Sequence, residues 1–257
     1  MSYLRTFWAL IQRDLAVYWP TWKDRAINGV IWGALCMGVF EYIMPSIGLS
    51  GYGMFIAAST AASWGFFEVT ENVAKFISDL QGDKSISYYL TLPLPQWMVF
   101  LRIAVSGAIQ AFCIAIFFVP FAKLVLWNSF TFANFSVVKF LIIFPLVHLF
   151  YGSFSLFLAM RVESIHKIGN IWLRIVYPLW WLGCFQFSWQ TLHAASPNIA
   201  YLNLLNPLVY TMEGTRNAIL GSAGSLPFLQ CVGMILLFTA FILWVGIRGL
   251  KKRLDCI

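Results

Sequence analysis

Apolar residues gather in six long runs along the chain: Ala26–Pro45, Tyr52–Val69, Trp97–Val119, Val138–Met160, Trp172–Trp189 and Phe228–Ile247. A helix rising 1.5 Å per residue needs about 20 residues to cross a hydrocarbon core of about 30 Å, and each run is close to that length. The pattern predicts an all-α integral membrane protein of six transmembrane helices. An even number of crossings leaves both ends on one side. With that side taken as the cytoplasm, fourteen of the 17 Lys and Arg lie inside, and only Lys123, Lys139 and Arg216 lie outside. Basic loops are retained in the cytoplasm, so cytoplasmic termini are expected.

The segments between the runs have their own patterns. Residues 1–22 are too polar to span, but Leu4, Phe7, Trp8, Ile11, Leu15 and Tyr18 recur at helical spacing. They predict an amphipathic helix lying in the cytoplasmic interface, with packing on protein as the alternative. Pro20 ends it. Arg13 and Asp14 interrupt any apolar core here, so a cleaved signal is not expected. After the second run, Glu71 and Lys75 form a favourable i,i+4 pair, which predicts a helix continuing into the cytoplasm. A polar inner loop follows over residues 79–96, closed by Pro93 and Pro95. The outer stretch 191–227 is too long for a turn and too interrupted for a span. Within it Asn198–Leu205 and Pro207–Leu220 read as two short helices, with Asn206 as cap, Pro207 in the first turn and Gly221 as terminator. A re-entrant hairpin is expected.

Composition agrees. The chain is 60% hydrophobic and 11% charged, with a mean hydropathy of +0.77, against about 25% charge in a soluble domain. A water-exposed globule is excluded. The net charge of +7 suits anionic inner-leaflet lipid better than nucleic acid, and no nucleic-acid partner is expected. Cys36, Cys113, Cys184 and Cys231 fall in apolar runs and Cys256 in the tail. They form no CxxC pair, and no metal site is indicated. Residues 1–257 read as a single transmembrane permease domain.

Candidate chemistry is sparse. Gly82-Asp83-Lys84-Ser85 lacks the glycines of a phosphate-binding loop, so any nucleotide must be bound by another polypeptide. Glu41 sits near the outer end of the first run, where it contacts substrate or simply reaches the interface. Glu68 and Glu71 read as the polar start of a cytoplasmic extension. His148 is a lone histidine, expected to bond a neighbouring carbonyl. In the fifth run Trp172, Tyr177, Trp180, Trp181 and Phe185 either line a path or pack and anchor, and Pro178 is expected to kink it.

The segment LLNPLVYTMEGTRNAILG resembles the membrane subunit of type-2 ATP-binding-cassette exporters, whose late sequence reads N-P-x-x-Y-x-x-x-G-x-R. Here Asn206, Pro207, Tyr210, Gly214 and Arg216 supply it. The segment SISYYLTLPLPQWMVFLRI resembles the same family's inner loop through Leu90, Leu92, Pro93 and Pro95. The resemblance implies six spans, an interfacial N-terminal helix and a re-entrant hairpin. It implies two copies of the chain, each docked on a separate ATPase subunit that carries ATP and Mg, with no cofactor in this chain. A short coupling helix at about Asp79–Tyr88 would make the contact, through Asp79, Gln81, Asp83, Lys84, Ser85 and Tyr88. Cargo would pass along the subunit interface beside Glu41, Tyr177, Trp180, Trp181 and Phe185, with Gly29, Gly33 and Gly38 permitting close helix approach. The family moves glycans, drugs and lipids, and an amphipathic, lipid-linked or glycan cargo is expected in a bacterial inner membrane. A secondary transporter or channel and a membrane-embedded lipid-modifying enzyme are the alternatives.

Overall fold

The computed structural model describes residues 3–48 and 51–254; Cys256 lies outside them. Among the described residues all regular structure is helical and there is no strand. α1 (Tyr3–Tyr18) passes through a 3₁₀ turn at Trp19–Thr21 into α2 (Trp22–Gly38), which ends in a π turn, Val39–Ile43, and a 3₁₀ turn, Met44–Ile47. Then come α3 (Gly53–Gln81), the short α4 (Ser85–Leu90), α5 (Gln96–Ala115), α6 (Phe118–Val125) and α7 (Val137–Ala159). α8 (Ile168–Ile171), a π turn at Trp172–Val176 and α9 (Tyr177–Leu182) make one irregular helix. α10 (Trp189–Ala195), α11 (Pro197–Asn203) and α12 (Pro207–Leu220) precede the closing α13 (Phe228–Leu254).

α7 is the hub, with α5, α13, α3 and α12 all packed on it. It is apolar all round, as a helix enclosed by others should be. Its Phe140 and Phe144 stack 4.5 Å apart. A Cβ at Gly152 would press on the carbonyl oxygen of Ala104 and lie 2.8 Å from the amide nitrogen of Ala108. Glycine is what lets the backbones of α5 and α7 approach so closely. At the end of α7 the Arg253 guanidinium of α13 donates to the carbonyls of Ala159 and Val162, both at 2.7 Å. Those carbonyls lack helical partners, so the contact closes the helix end.

Among the described residues four helical stretches are long and apolar enough to cross a membrane: Tyr3–Ile47, Gln96–Val125, Val137–Ala159 and Phe228–Leu254. They are compatible with a multi-pass membrane protein. The second and fifth apolar runs are not among them. α3 has the length, at 29 residues, but Ser59, Thr60, Ser63, Glu68 and Thr70 are buried along it. A helix walled by protein can carry polar residues that lipid would reject. The fifth run ends at Leu182 and not at Trp189, because Gly183 closes α9 and Cys184 takes a left-handed φ of 64°. Pro178, where a kink was expected, lies in the first turn of α9, directly after the π turn.

The periphery is thinly covered. α2 turns only Arg25, Gly29, Gly33 and Met37 inward. A Cβ at Gly29 would sit 3.2 Å from Trp64 and Phe118, and Phe118 also crowds Gly33. These two glycines therefore admit α3 and α6 of the same chain, while Gly38 faces open space. The predicted stripe of α1 is split. Ile11 and Tyr18 are buried, whereas Leu4 and Trp8 are exposed.

Candidate functional site

The N-P-x-x-Y-x-x-x-G-x-R segment forms α12, and nearly every residue of that helix is buried. Asn206 caps it, its Oδ1 accepting from Leu208 N–H at 3.0 Å while its Nδ2 donates to the Leu179 carbonyl of α9 at 2.8 Å. Pro207 fills the first turn, where no N–H is required. The Tyr210 hydroxyl donates to the Leu204 carbonyl at 2.9 Å. A Cβ at Gly214 would lie 2.9 Å from Ile143 and 3.1 Å from Cys231, so α7 and α13 close directly on the helix. Gly221, at φ 93°, ends it.

Arg216 corrects the charge count. It is no outer-loop charge but a buried one, donating to Ser59 Oγ at 2.9 Å and the Cys184 carbonyl at 2.6 Å. Its guanidinium also lies 4.2 Å from the Phe55 ring. Its counter-ion, Glu213, was not singled out from sequence; the i,i+3 spacing to Arg216 was the available signal. The Glu213 carboxylate also accepts from Trp189 N–H at 2.8 Å and Leu226 N–H at 3.0 Å. Trp189 opens α10 and Leu226 precedes α13, so one carboxylate holds two chain segments against α12.

At the end of the protein that holds α1 and the last turn of α13, Asp79 and Ser85 build α4. Asp79 lies in the last turn of α3, and its carboxylate accepts from the amides of Ser85 and Ile86, at 3.1 and 3.0 Å, and from the Ser85 hydroxyl. The short helix is therefore Ser85–Leu90, displaced from the expected Asp79–Tyr88. Lys84 makes the turn with a left-handed φ of 51°. Asp79 is a capping group. Gln81, Asp83, Lys84 and Tyr88 are exposed, with Tyr88 at 64%. Ile86 and Tyr89 anchor the other face of α4 in the core.

Charged side chains knit this end together. Arg25 of α2 pairs with both Glu68 and Glu71 of α3. Glu71 also holds Lys75 at 3.7 Å, as the i,i+4 spacing predicts. Burial pushes the Lys75 ammonium below its ordinary value, helped by nearby Arg25. Asp14 of α1 faces Arg102 of α5 at 3.2 Å. Burial raises the Asp14 carboxyl above its ordinary value, against the pull of Arg102 and Arg13. Neither Arg25 nor the Asp14–Arg102 pair stood out in the sequence, because each joins helices far apart in the chain.

The aromatic residues separate into two groups. Trp180 and Phe185 are buried, 4.4 Å apart, and Trp180 also meets Phe67 of α3 at 5.5 Å and Trp32 of α2 at 6.1 Å. They form packing inside the chain. Tyr177 and Trp181 are exposed. Glu41 stands elsewhere, its carboxylate accepting from the Ser129 hydroxyl beyond α6.

Neither a family model nor a curated protein matches this sequence. His148 Nδ1 donates to the Phe144 carbonyl at 2.7 Å, as expected of a lone buried histidine. Among the described residues no three His, Cys, Asp or Glu side chains gather as metal ligands. The arrangement offers a rigid buried polar knot at α12 and an exposed, well-anchored short helix at the other end.

Proposed function

We propose that this chain is the membrane subunit of an ATP-driven exporter of the type-2 ATP-binding-cassette class. α2, α3, α5–α6, α7, α8–α9 and α13 are its six crossings, with both termini cytoplasmic in a bacterial inner membrane. α10 to α12 form the re-entrant hairpin on the outer face. At 14 residues, or about 21 Å by helical rise, α12 is too short to cross. α11 carries Ile199, Tyr201 and Leu202 exposed, which suits lipid contact.

α4 is the observation that carries the reading. An exposed polar loop with an outward Tyr88 is fixed by Asp79 to the end of a 29-residue helix. That helix runs without a break from α4 to the packing around α7 and α12. A push at α4 therefore reaches the core through a stiff rod, as a bistable transporter driven from outside requires. The pushing subunit would be a separate ATPase carrying ATP and Mg, in two copies.

A second copy of this chain would cover α2 and α9. Ile27, Ile31 and Leu35 on α2 and Leu173, Tyr177 and Trp181 on the α8–α9 helix are exposed. Trp32 and Trp180 touch, so the two helices are neighbours. Cargo passing between copies would meet Tyr177 and Trp181, and an amphipathic, lipid-linked or glycan molecule fits such aromatic walls.

Gentle purification of the tagged chain from its native membranes tests the proposal. A soluble P-loop subunit of about 25–35 kDa, the size of one domain, should co-elute. Asp83→Lys with Lys84→Glu should weaken that association. Unchanged co-elution and unchanged coupled ATPase activity in the double variant would remove α4 from the mechanism.

A further inference from the structure

A cavity of about 260 Å³, open on one side and lined by both charged and apolar side chains, lies between α1, α3, α4 and α5. Arg13, Asp14, Lys75, Arg102, Ser106 and Gln110 are on its walls. Arg102 is 6% exposed, and its Nε and Nη1 have no hydrogen-bond acceptor. Asp14 stands 3.2 Å from Nε as an ion-pair partner, but off the hydrogen-bonding direction. The guanidinium packs 4.3 Å from the Tyr89 ring. Arginine carries five N–H donors, and a buried guanidinium without acceptors is strongly unfavourable. The other acid on the wall, Asp79, is already engaged by the first amides of α4. Gln110 spends its Nε2 on Ser106 Oγ at 3.1 Å, and its buried Oε1 is itself without a partner. Arg13, Lys75 and Arg102 against Asp14 and Asp79 leave one formal positive charge in excess on the walls, around a space several times the ~30 Å³ share of one water.

We propose that this cavity binds a phosphate-bearing anion, with Arg102 as its principal ligand and Arg13 and Lys75 at its rim. A planar guanidinium matches two phosphate oxygens at once, and the Arg102 Nε and Nη1 are here without a hydrogen-bond acceptor. A lipid headgroup and a free phosphate share this chemistry. A lipid would in addition lay its chains beside Val17, an exposed apolar residue on the cavity wall. The assignment needs only the side chains of one chain and stands apart from the export reading.

The full chain, purified in a neutral detergent, should be titrated with dioctanoyl phosphatidic acid and with inorganic phosphate. Dioctanoyl phosphatidylcholine, whose phosphate is already paired, is the control. Native mass spectrometry and equilibrium dialysis read the binding. At least one phosphate-bearing probe should bind one per chain, more tightly than phosphatidylcholine. Arg102→Gln should weaken it about tenfold or more, as loss of a charge-assisted hydrogen bond does. Lys252→Gln, exposed at the same end but not on the cavity wall, should leave it unchanged. Binding of phosphatidic acid alone assigns a lipid headgroup, and comparable binding of inorganic phosphate assigns a soluble ligand. Equal binding by a monodisperse Arg102→Gln variant overturns the proposal, as does a failure of both phosphate probes to exceed phosphatidylcholine. Should Arg102→Gln not fold, Arg13→Gln decides. Arg13 is exposed, and an unchanged affinity there also overturns the proposal.

Discussion

Glu213 and Arg216, one turn apart on α12, meet at 2.5 Å where their side chains are 0% and 3% exposed. The pair is fully partnered, since Ser59, Cys184, Trp189 and Leu226 each contribute a further hydrogen bond. Removing one member strands the other charge in a dry interior. Arg216→Met or Glu213→Leu alone should cost about 3–5 kcal/mol, the range for a broken buried pair. The double replacement should cost less than the two single losses combined, because no lone charge remains. Denaturation of the detergent-purified variants measures all three. Simple additivity would show that the two charges act separately.

Gly152 sets the distance between α5 and α7. A methyl there meets backbone, at Ala104 and Ala108, which no rotamer change can clear. Gly152→Ala should therefore destabilise the protein by about 1–3 kcal/mol, as overpacking does. Gly233, on α13, faces open space. Gly233→Ala should be neutral or slightly stabilising, since alanine favours helix. Paired thermal melts make the comparison, and equal melting temperatures for the two variants would deny the close approach.

Tyr88 and Tyr89 are adjacent on α4 and have opposite surroundings. Tyr89 is 6% exposed and stacked against Arg102, whereas Tyr88 is 64% exposed. Tyr89→Ala should lower stability by about 3 kcal/mol or more, as loss of a buried aromatic does. Tyr88→Ala should leave stability within about 0.5 kcal/mol yet weaken association with the proposed ATPase. A Tyr88→Ala variant that melts early, or that holds the ATPase as firmly as wild type, would contradict the assignment of this face to docking.

Local chemistry was legible in the sequence, and long-range contact was not. The uniform apolar runs give α7 to within one residue and the start of α13, which continues seven residues past Ile247 through its basic last turn. Asn206, Pro207 and Gly221 mark both ends of α12, because caps and breakers act on their own backbone. The start of α4 was displaced because the Asp79 side chain reaches forward to Ser85 and Ile86, a tie that carries no periodicity. The end of the fifth run was hidden because apolar and aromatic residues continue past Gly183. The break there coincides with a bond from Arg216 to the Cys184 carbonyl, 32 residues away. Arg216 reads as an outer charge in the sequence because only the folded chain reveals that it is enclosed.

Asn206 joins α12 to the end of α9 through the Leu179 carbonyl, and caps α12 through Leu208. Loss of the cap alone should cost about 1 kcal/mol. Loss of the link should cost order locally, because α9 is followed directly by the irregular residues 183–188 and has few other ties to α12. Asn206→Ala with Pro207→Ala should therefore speed amide hydrogen exchange in α9, α10 and α12 while leaving α5 and α13 as protected as before. Association with the proposed ATPase should be unaffected, since α4 lies at the opposite end. If export is the activity, it should fall further than assembly does. Full export together with loosened amides would mean that the α12 segment is a structural plug, and that cargo moves without it.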